Sequence, residues 1–301
     1  MKRALVTMLC SLVVLYLAIV ALFAFNQRRL LYFPGRALGP EERVADIAAP
    51  LGLEPWRDAQ GLRIGWRQVP PAHGPATRRM VVFHGNAGTA FERSQYLMGF
   101  GRMDQGRTWQ VFLFEYPGYD ARPGEPSQAA FCATGREALA QLAAEDSRPI
   151  YVTGESVGAG VACALAGDMP QQVAGVFLMT PFAALSEVGA HHYPWLPVSL
   201  ILRDRWDNVA ALRKYRGPVA VMIAGQDEVV TAAQSRKLFD SYAGPKREWV
   251  DEDATHNTVI DAPTEVWWRE VSEFLIEHST PRSSPLLNFN SRCPLRDEVD
   301  S

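Results

Sequence analysis

Five short apolar runs, separated by segments of helical length, constrain the fold of this chain more than any other feature. The runs are RMVVFHG, WQVFLFEYPG, PIYVTGES, VAGVFLMTPF and PVAVMIAGQD. Such runs are typical of strands buried on both faces of a parallel sheet. The segments predicted as crossover helices are 91–103, 127–145, 157–168 and 231–242. The pattern predicts an α/β fold, with a mostly parallel sheet flanked by helices.

Both ends of the predicted sheet are suggested by shorter signals. The sequence LRIGWRQVP, near the start, predicts an antiparallel edge strand, and REWVDED predicts a last strand that is followed by a helix over 258–277. Residues 30–278 are therefore expected to form one domain. Residues 279–301 contain three prolines among polar residues and predict a loose C-terminal tail.

Residues 4–25 contain no charged side chain. A helix of that length would rise about 33 Å, which is enough to span a bilayer. A cleaved signal peptide is the alternative, but the apolar run is longer than usual for one, and residues 22–24 (LFA) make a poor cleavage site. We expect an uncleaved, single-pass membrane anchor. Two basic residues flank each end of the segment, so charge does not indicate which side of the membrane the following domain occupies.

Charge and cysteine content exclude some classes of protein. The chain has 30 basic and 33 acidic residues and a formal net charge of -3, and the charges are mixed along it, so a nucleic-acid partner is not expected. The four cysteines include no CxxC pair, which predicts neither a zinc site nor a disulfide framework. We expect no metal and no cofactor.

The stretch PIYVTGESVGAGVA places Ser156 between Gly154 and Gly158. A β-rich run precedes this serine and a small-residue segment follows it, which is the strand, turn and helix context of a nucleophile elbow. The elbow needs both glycines because its backbone lies against a neighbouring strand and helix. Ser156 would then stand at a helix N-terminus, whose dipole favours developing negative charge.

A serine hydroxyl becomes a strong nucleophile only when a base takes its proton and an acid orients that base. In α/β sheets of this kind the order is serine, acid, histidine, and AGQDEVV and DATHNTV supply Asp227 and His256 in that order. Other acids remain alternatives: Glu228 beside Asp227, and, if the last strand is misplaced, Asp251 and Asp253. The other histidines are read as solvated or packing residues: His73, His191, His192 and His278.

The loop FHGNAG follows the first parallel strand and must bend tightly. The backbone amides of Asn86 and Val157 are the candidate oxyanion hole, and each donor would stabilise the transition state by about 2 to 4 kcal/mol. The loop itself would be supported by His84, Gly85 and Gly88. A phosphate-binding loop is the competing reading, but the chain has neither GxxxxGK[ST] nor GxGxxG after a strand.

Taken together, FHGNAG, EYPGYDARPGEPS, GESVGAGVA, TPFAALSEV, HHYPWLPVSLILRDRWDN, AGQDEVV and THNTV resemble the membrane-anchored α/β-hydrolases related to serine aminopeptidases and lysophospholipase-like enzymes. The single-span branch of that family also has a YFP stretch after its anchor, here residues 32–34. The resemblance covers residues 30–277 and implies an α/β-hydrolase fold behind an N-terminal transmembrane helix. Two departures, Asp120 in YPGYD and the lack of an acidic residue after His256, concern loop shape and substrate.

Residues 181–217, called the cap below, leave room for only a small lid. Its apolar side chains either pack on the sheet or line an acyl pocket: Trp195, Leu196, Val198, Leu200, Ile201, Leu202 and Trp206. The expected function is that of a serine hydrolase cleaving an acyl ester or thioester of a small or lipid-like substrate near a membrane. The alternatives are a catalytically idle membrane-anchored scaffold and a peptidase acting on peptide N-termini.

Overall fold

An eight-stranded sheet organises the protein, whose computed structural model describes residues 2–35, 39, 41–72, 74–259 and 266–279. A separate pair of two-residue strands lies outside that sheet. The strands in chain order are β1 (Phe33–Pro34), β2 (Leu53–Arg57), β3 (Arg63–Gln68), β4 (Arg78–Phe83), β5 (Ala87–Gly88), β6 (Trp109–Phe114), β7 (Ile150–Glu155), β8 (Val173–Met179), β9 (Val219–Ala224) and β10 (Lys246–Asp251).

The large sheet has the order β10-β9-β8-β7-β4-β6-β3-β2. From β10 to β6 all neighbours are parallel, whereas β3 is antiparallel to both β6 and β2. The five apolar runs are confirmed as β4, β6, β7, β8 and β9. The prediction that β3 is an edge strand was wrong, because β2 pairs with its outer side. Pro55 obscures β2 in the sequence, yet proline is tolerated on an edge strand, where β2 lies.

The helices in chain order are α1 (Lys2–Leu31), α2 (Glu41–Ala48), α3 (Gln128–Glu145), α4 (Val157–Asp168), α5 (Leu185–His192), α6 (Val198–Ile201), α7 (Asn208–Leu212), α8 (Ala232–Ser241) and α9 (Trp267–His278). The predicted helices at 127–145, 157–168 and 231–242 are confirmed as α3, α4 and α8. The predicted helix at 258–277 started too early, because Thr258 and Val259 lie in a turn, and helix α9 begins at Trp267. Apart from Ser279, the predicted tail lies outside the described residues.

The predicted helix at 91–103 was wrong. A 3-10 turn (Ala90–Arg93) and a π-helical turn (Leu97–Gly101) occupy most of this segment, and another 3-10 turn (Met103–Gly106) follows them. Two glycines weaken regular helix here, and Gly99 lies against the indole of Trp268, where an added Cβ would come within 2.5 Å of a ring carbon. Close packing on α9 therefore decides the local structure.

Alternate residues of the strands face two different cores. Val81 and Phe83 of β4 join the core that α3, α4 and α8 cover, whereas Met80 and Val82 join the core that α9 covers. Strands buried on both faces explain the continuous apolar runs in the sequence. The parallel strands all end at one edge of the sheet, so the loops after β4, β7, β9 and β10 meet there.

Helix α1 runs without interruption from Lys2 to Leu31, past the predicted end of the apolar segment at residue 25. Its mean hydropathy over the most apolar window is 2.7, so it is long and apolar enough to cross a membrane, although a signal sequence meets the same description. Residues 2–18 are exposed throughout, but from Ile19 onward one face is partly covered. The covered face contains Ile19, Phe23, Gln27 and Leu31, which are spaced four residues apart.

The end of α1 is fixed to the cap through Asp204. Arg28 donates two hydrogen bonds to this carboxylate, at 3.0 and 3.1 Å, and the Tyr32 hydroxyl donates a third at 3.1 Å. The indole N–H of Trp206 in turn donates to the Tyr32 oxygen at 3.1 Å. Asp204 is only 4% exposed, so its charge is compensated by the α1 end of the chain. The sequence left two alternatives open for Trp206, packing on the sheet or lining an acyl pocket. The structure places Trp206 in the buried core.

Candidate active site

Ser156 lies in the sharp turn between β7 and α4, with a φ of 51° and a ψ of -113°. A residue other than glycine adopts such a conformation only at a cost of about 1 to 3 kcal/mol, so the surrounding contacts must enforce it. A Cβ added to Gly154 would overlap the carbonyl of Gly158, and one added to Gly158 would overlap the carbonyls of Phe83 and His84. The predicted elbow geometry is present, and both glycines are there for the expected steric reason.

His256 and Asp227 meet at the carboxyl edge of the sheet. His256 Nδ1 lies 2.7 Å from Asp227 Oδ2. The other oxygen, Oδ1, accepts hydrogen bonds from the backbone N–H groups of Val229 and Val230, at 2.8 and 2.7 Å. The side chain of Asp227 is 1% exposed and that of His256 is 13% exposed. A carboxylate held in this way orients the imidazole and fixes the tautomer in which Nδ1 carries the proton.

The alternative acids lie elsewhere. Glu228 is exposed, and so is Asp253. Asp251 Oδ1 accepts from the backbone N–H groups of Asp253 and Ala254, which closes the turn after β10. Asp227 is therefore the acid that the structure brings to His256.

The remaining histidines have other contacts. His192, at the end of α5, has Nε2 2.9 Å from the carbonyl of Val229, and His278 has Nδ1 2.9 Å from the carbonyl of Phe274. His191 lies beside His192, with ring centroids 5.2 Å apart. His73 lies outside the described residues.

His84 is buried under the loop that follows β4. Its Nδ1 lies 2.8 Å from the carbonyl of Gly85, and its Nε2 lies 3.1 Å from Glu115 Oε1. The second oxygen of Glu115 accepts from the backbone N–H of Ala90 at 2.9 Å, and Tyr116 donates its hydroxyl to the His84 carbonyl at 2.8 Å. Both ends of the loop are thus attached to residues that follow β6. The sequence analysis did not identify Glu115 as a residue that supports this loop. A charged residue directly after a buried apolar strand could have indicated such a role.

Asn86 is held in place from outside its own loop. Its carbonyl accepts from the backbone N–H of Phe33 at 2.8 Å and from the Tyr119 hydroxyl at 2.7 Å, and its side-chain amide donates to the Leu31 carbonyl at 3.0 Å. Burial raises the pKa of Tyr119, which keeps the phenol protonated and able to donate. Among the described residues, neither the backbone N–H of Asn86 nor that of Val157 has an acceptor, so both amides are available to a ligand.

The two loop glycines differ in what they require. Gly88 has a φ of 83°, and an added Cβ would overlap the carboxylate of Glu92. Gly85 has ordinary space around it, with the nearest atom, the carbonyl oxygen of Glu155, 3.7 Å from an added Cβ. Gly88 is thus needed for the loop conformation, whereas the structure gives no steric reason for glycine at position 85.

Two cavities meet at Ser156 and Asn86. The first, called the polar cavity, has a volume of about 480 Å³ and is lined mainly by polar and charged groups: Glu92, Arg93, Gln95, Glu155, His256 and Asn257. The second, called the apolar cavity, has a volume of about 280 Å³ and lies between the cap and α1. Ser156 and Asn86 line both cavities. A molecule with an apolar and a polar part could therefore cross the elbow with one part in each cavity.

An ion pair borders the polar cavity directly beside the elbow. Arg93 Nε lies 2.8 Å from Glu155 Oε2, and Arg93 also donates to the Ala87 carbonyl at 3.2 Å. Burial alone would lower the pKa of Arg93, but the charge of Glu155 and its hydrogen bond outweigh burial, so the pKa of Arg93 is raised. Arg93 therefore stays cationic and ties the residue before Ser156 to the loop after β4.

The sequence departs from the family that it resembles at Asp120 and at the residue after His256, and both positions have contacts in the structure. Asp120 adopts a φ of 50° and forms an ion pair with Arg63 at 2.6 Å, in which both side chains are nearly buried. Asn257, which follows His256, lines the polar cavity as a neutral side chain.

The described part of the chain contains no group of three or more His, Cys, Asp or Glu side chains that could hold a metal ion. The expectation that no metal or cofactor is used stays a prediction.

The cap divides its apolar residues between two environments. Leu196, Val198, Ile201 and Leu202 line the apolar cavity, whereas Trp195 and Leu200 are 49% and 81% exposed. That these residues form an acyl pocket stays a prediction.

Comparison with known proteins points to the same fold that the sheet topology shows. A family model described as the alpha/beta hydrolase fold matches residues 78–210. The Mycobacterium tuberculosis protein Rv2307c, which is uncharacterised, is 34% identical over 262 residues, which cover 85% of this chain and 90% of that protein. The mouse lysophosphatidylserine lipase ABHD12 is 24% identical over 65% of this chain, but the match spans only about half, 52%, of its length.

Solved structures show the same architecture. The Pyrococcus furiosus esterase Pf2001 has a TM-score of 0.61 at 16% identity, and the match covers 83% of this chain and 99% of the esterase. Est1E of Butyrivibrio proteoclasticus has a TM-score of 0.59 at 15% identity, covering 73% of this chain and 97% of Est1E. At these identities the likeness concerns the fold.

Proposed function

The chain belongs to the alpha/beta hydrolase family, and we propose on that basis that it is a serine hydrolase that cleaves an acyl ester or thioester at a membrane. The observation that carries this proposal is the arrangement around the polar cavity. Ser156, on a strained elbow, borders the same cavity as His256, and His256 is held by the buried carboxylate of Asp227. Nucleophile, base and orienting acid are the three groups that acyl transfer requires.

In the first half of the reaction, Ser156 Oγ attacks the acyl carbonyl carbon while His256 Nε2 takes the hydroxyl proton. The carbonyl oxygen becomes an oxyanion, which accepts hydrogen bonds from the free N–H groups of Asn86 and Val157. The bond to the leaving group then breaks, His256 returns the proton to the departing oxygen or sulfur, and the acyl group stays on Ser156.

In the second half, water attacks the acyl-serine, and His256 accepts one of its protons. The tetrahedral intermediate collapses, Ser156 recovers its proton, and the fatty or carboxylic acid leaves. Asp227 stays ionised throughout and stabilises the imidazolium that forms twice in each cycle.

The two cavities favour a substrate with one acyl chain and a polar leaving group. The apolar cavity offers hydrocarbon contact on one side of Ser156, and the polar cavity offers charged groups of both signs on the other. The similarity to ABHD12, which is named a lysophosphatidylserine lipase, supports a lipid-like acyl substrate of this kind. A thioester on a lipidated protein would divide between the cavities in the same way.

Membrane attachment of the full chain is part of the proposal. The contacts of Phe23 with Tyr193 and Trp195 support retention of α1, because cleavage behind residue 25 would remove Phe23 from the cap. A retained helix of this length and hydropathy would keep the enzyme in the bilayer.

The proposal is tested by fatty-acid release from lysophospholipids by the full-length protein in detergent micelles. We expect release by the wild-type protein and none by Ser156→Ala, a change that removes one oxygen and little packing. A folded wild-type protein that hydrolyses no acyl ester or thioester would instead favour the idle scaffold. Hydrolysis of amino-acid p-nitroanilides in preference to all acyl esters would favour the peptidase.

A further inference from the structure

Helix α1 contributes more than an anchor, because its C-terminal half forms one side of the apolar cavity. Phe23, Gln27, Leu30 and Leu31 of α1 line this cavity. The opposite side comes from the cap and the loops next to it, through apolar side chains such as Phe182, Leu185, Val188, Leu196, Val198 and Ile201. The inner end of the cavity reaches Ser156.

The single polar side chain that α1 contributes to the cavity is already satisfied by the protein. The amide nitrogen of Gln27 donates to the carbonyls of Ala24 and Ile201, at 2.7 and 3.0 Å, and its oxygen accepts from the backbone N–H of Arg203 at 2.6 Å. Gln27 therefore binds α1 to the cap and leaves the cavity surface suited to hydrocarbon.

Aromatic contacts define the outer part of this interface. The ring of Phe23 lies 5.9 Å from that of Tyr193 and 5.6 Å from that of Trp195. The Tyr16 hydroxyl donates to the Trp195 carbonyl at 3.0 Å. Leu200 of α6, in the same cap, is 81% exposed. Tyrosine and tryptophan together with exposed apolar side chains are typical of a surface at the membrane interface.

The exposed length of α1 supports a position of the cavity at that interface. Residues 2–18 are exposed, and a helix of that length rises about 26 Å, which is close to the hydrocarbon core of about 30 Å. The helix first meets the cap near the end of this stretch, at Tyr16, and from Ile19 onward one of its faces is partly covered. An acyl chain leaving the bilayer along α1 would therefore reach the cavity without crossing water.

We propose that α1 is a wall of the acyl-binding site, and that the hydrocarbon chain of the substrate lies in the apolar cavity between α1 and the cap. This inference rests on the proposed hydrolase function. It assigns Phe23 a role in recognising the acyl chain, and it gives the membrane-spanning helix and the active site one continuous apolar surface. At about 280 Å³, the cavity is near the lower end of ligand pockets, which suits a single chain.

The direct test uses a fluorophosphonate with a decyl chain that ends in a diazirine. The probe is attached to Ser156 of the full-length protein in detergent micelles, and then irradiated, and the second attachment point is mapped by mass spectrometry. We expect adducts in residues 19–31 and 185–202. Adducts confined to the polar cavity, in residues 85–95 or 256–259, would overturn the inference. A wild-type protein that takes up no probe at Ser156 would instead overturn the hydrolase function beneath it.

A matched pair of variants on α1 provides a second readout. Phe23→Ala removes a ring that lines the apolar cavity, whereas Phe25→Ala removes one that is 76% exposed and not part of the cavity lining. The ratio of kcat/KM for the decanoyl and acetyl p-nitrophenyl esters should fall by about tenfold in Phe23→Ala. It should stay at the wild-type value in Phe25→Ala. An unchanged ratio in Phe23→Ala, with hydrolysis of the acetyl ester retained, would contradict a role of α1 in chain binding.

Discussion

The backbone N–H of Phe33 donates to the carbonyl of Asn86 at 2.8 Å. This bond continues into the parallel pairing of β1 with β5, where Gly35 also donates to the Gly88 carbonyl at 2.8 Å. The segment directly after α1 is therefore attached to the loop that would hold the oxyanion. The position of helix α1 and the geometry of the active site are therefore linked through residues 33–35.

Replacing Phe33 by proline should test that link. Proline lacks the backbone N–H that donates to the Asn86 carbonyl, so Phe33→Pro removes this hydrogen bond. Phe33→Ala removes the half-exposed ring and keeps the hydrogen bond. We expect Phe33→Pro to lower kcat by about 10- to 100-fold through misplacement of the Asn86 amide, which is less than complete loss of one oxyanion donor. Phe33→Ala should remain close to wild type in ester hydrolysis. A Phe33→Pro protein with the same kcat as Phe33→Ala would contradict a role of this hydrogen bond.

Asp227→Asn should lower kcat by about 10⁴-fold, because an amide at this position favours the wrong histidine tautomer. Asp251→Asn is the matched control, since Asp251 only closes the turn after β10. Steady-state hydrolysis of a p-nitrophenyl ester measures both. If Asp251→Asn caused the larger loss, the assignment of the acid to Asp227 would be wrong.

The glycines of the elbow and of the neighbouring loop should differ in their tolerance of alanine. Gly158→Ala places a methyl group against the carbonyls of Phe83 and His84 and should destabilise the fold by roughly 1 to 3 kcal/mol. Gly85→Ala meets no atom closer than 3.7 Å and should change stability little. Urea unfolding followed by circular dichroism measures both variants. A Gly158→Ala protein as stable as wild type would contradict the packing described for the elbow.

The full-length protein should stay with membranes after a carbonate wash and should keep its N-terminus. Surface charge attraction does not survive that treatment, whereas a spanning helix does. Membrane fractionation and intact mass measurement provide the result. A chain cut near residue 24 would show that α1 is a removed signal peptide, and the acyl site proposed between α1 and the cap would then lose one wall.

The sequence predicted the sheet and the elbow because those elements depend on local patterns. Strands buried on both faces appear as unbroken apolar runs, and the elbow needs glycines at fixed positions on either side of Ser156. Strand β2 was missed because Pro55 interrupts its pattern, and the irregular turns between Ala90 and Gly106 depend on the contact of Gly99 with Trp268. The first cause is a local interruption of the pattern, whereas the second is a contact between residues far apart in the sequence.

The parts of the site that the sequence did not predict involve contacts between distant segments. Glu115 lies next to His84 only because β6 and β4 are neighbours in the sheet. Phe23 contacts the cap because the fold brings residues 23 and 195 together. In the sequence, the position of Phe23 in an apolar segment indicated only insertion into a membrane. Residue type and spacing predicted the candidate nucleophile, base and acid, whereas the two cavities required the structure.

Covalent labelling of Ser156 tests the central claim most directly. The full-length protein in detergent micelles is treated with a short-chain fluorophosphonate, and the modified residue is located by mass spectrometry beside Ser156→Ala and Asp227→Asn. The account predicts one adduct, on Ser156, which is absent from Ser156→Ala and forms much more slowly in Asp227→Asn. A folded wild-type protein that remains unlabelled, or that is labelled equally in Ser156→Ala, would contradict the account.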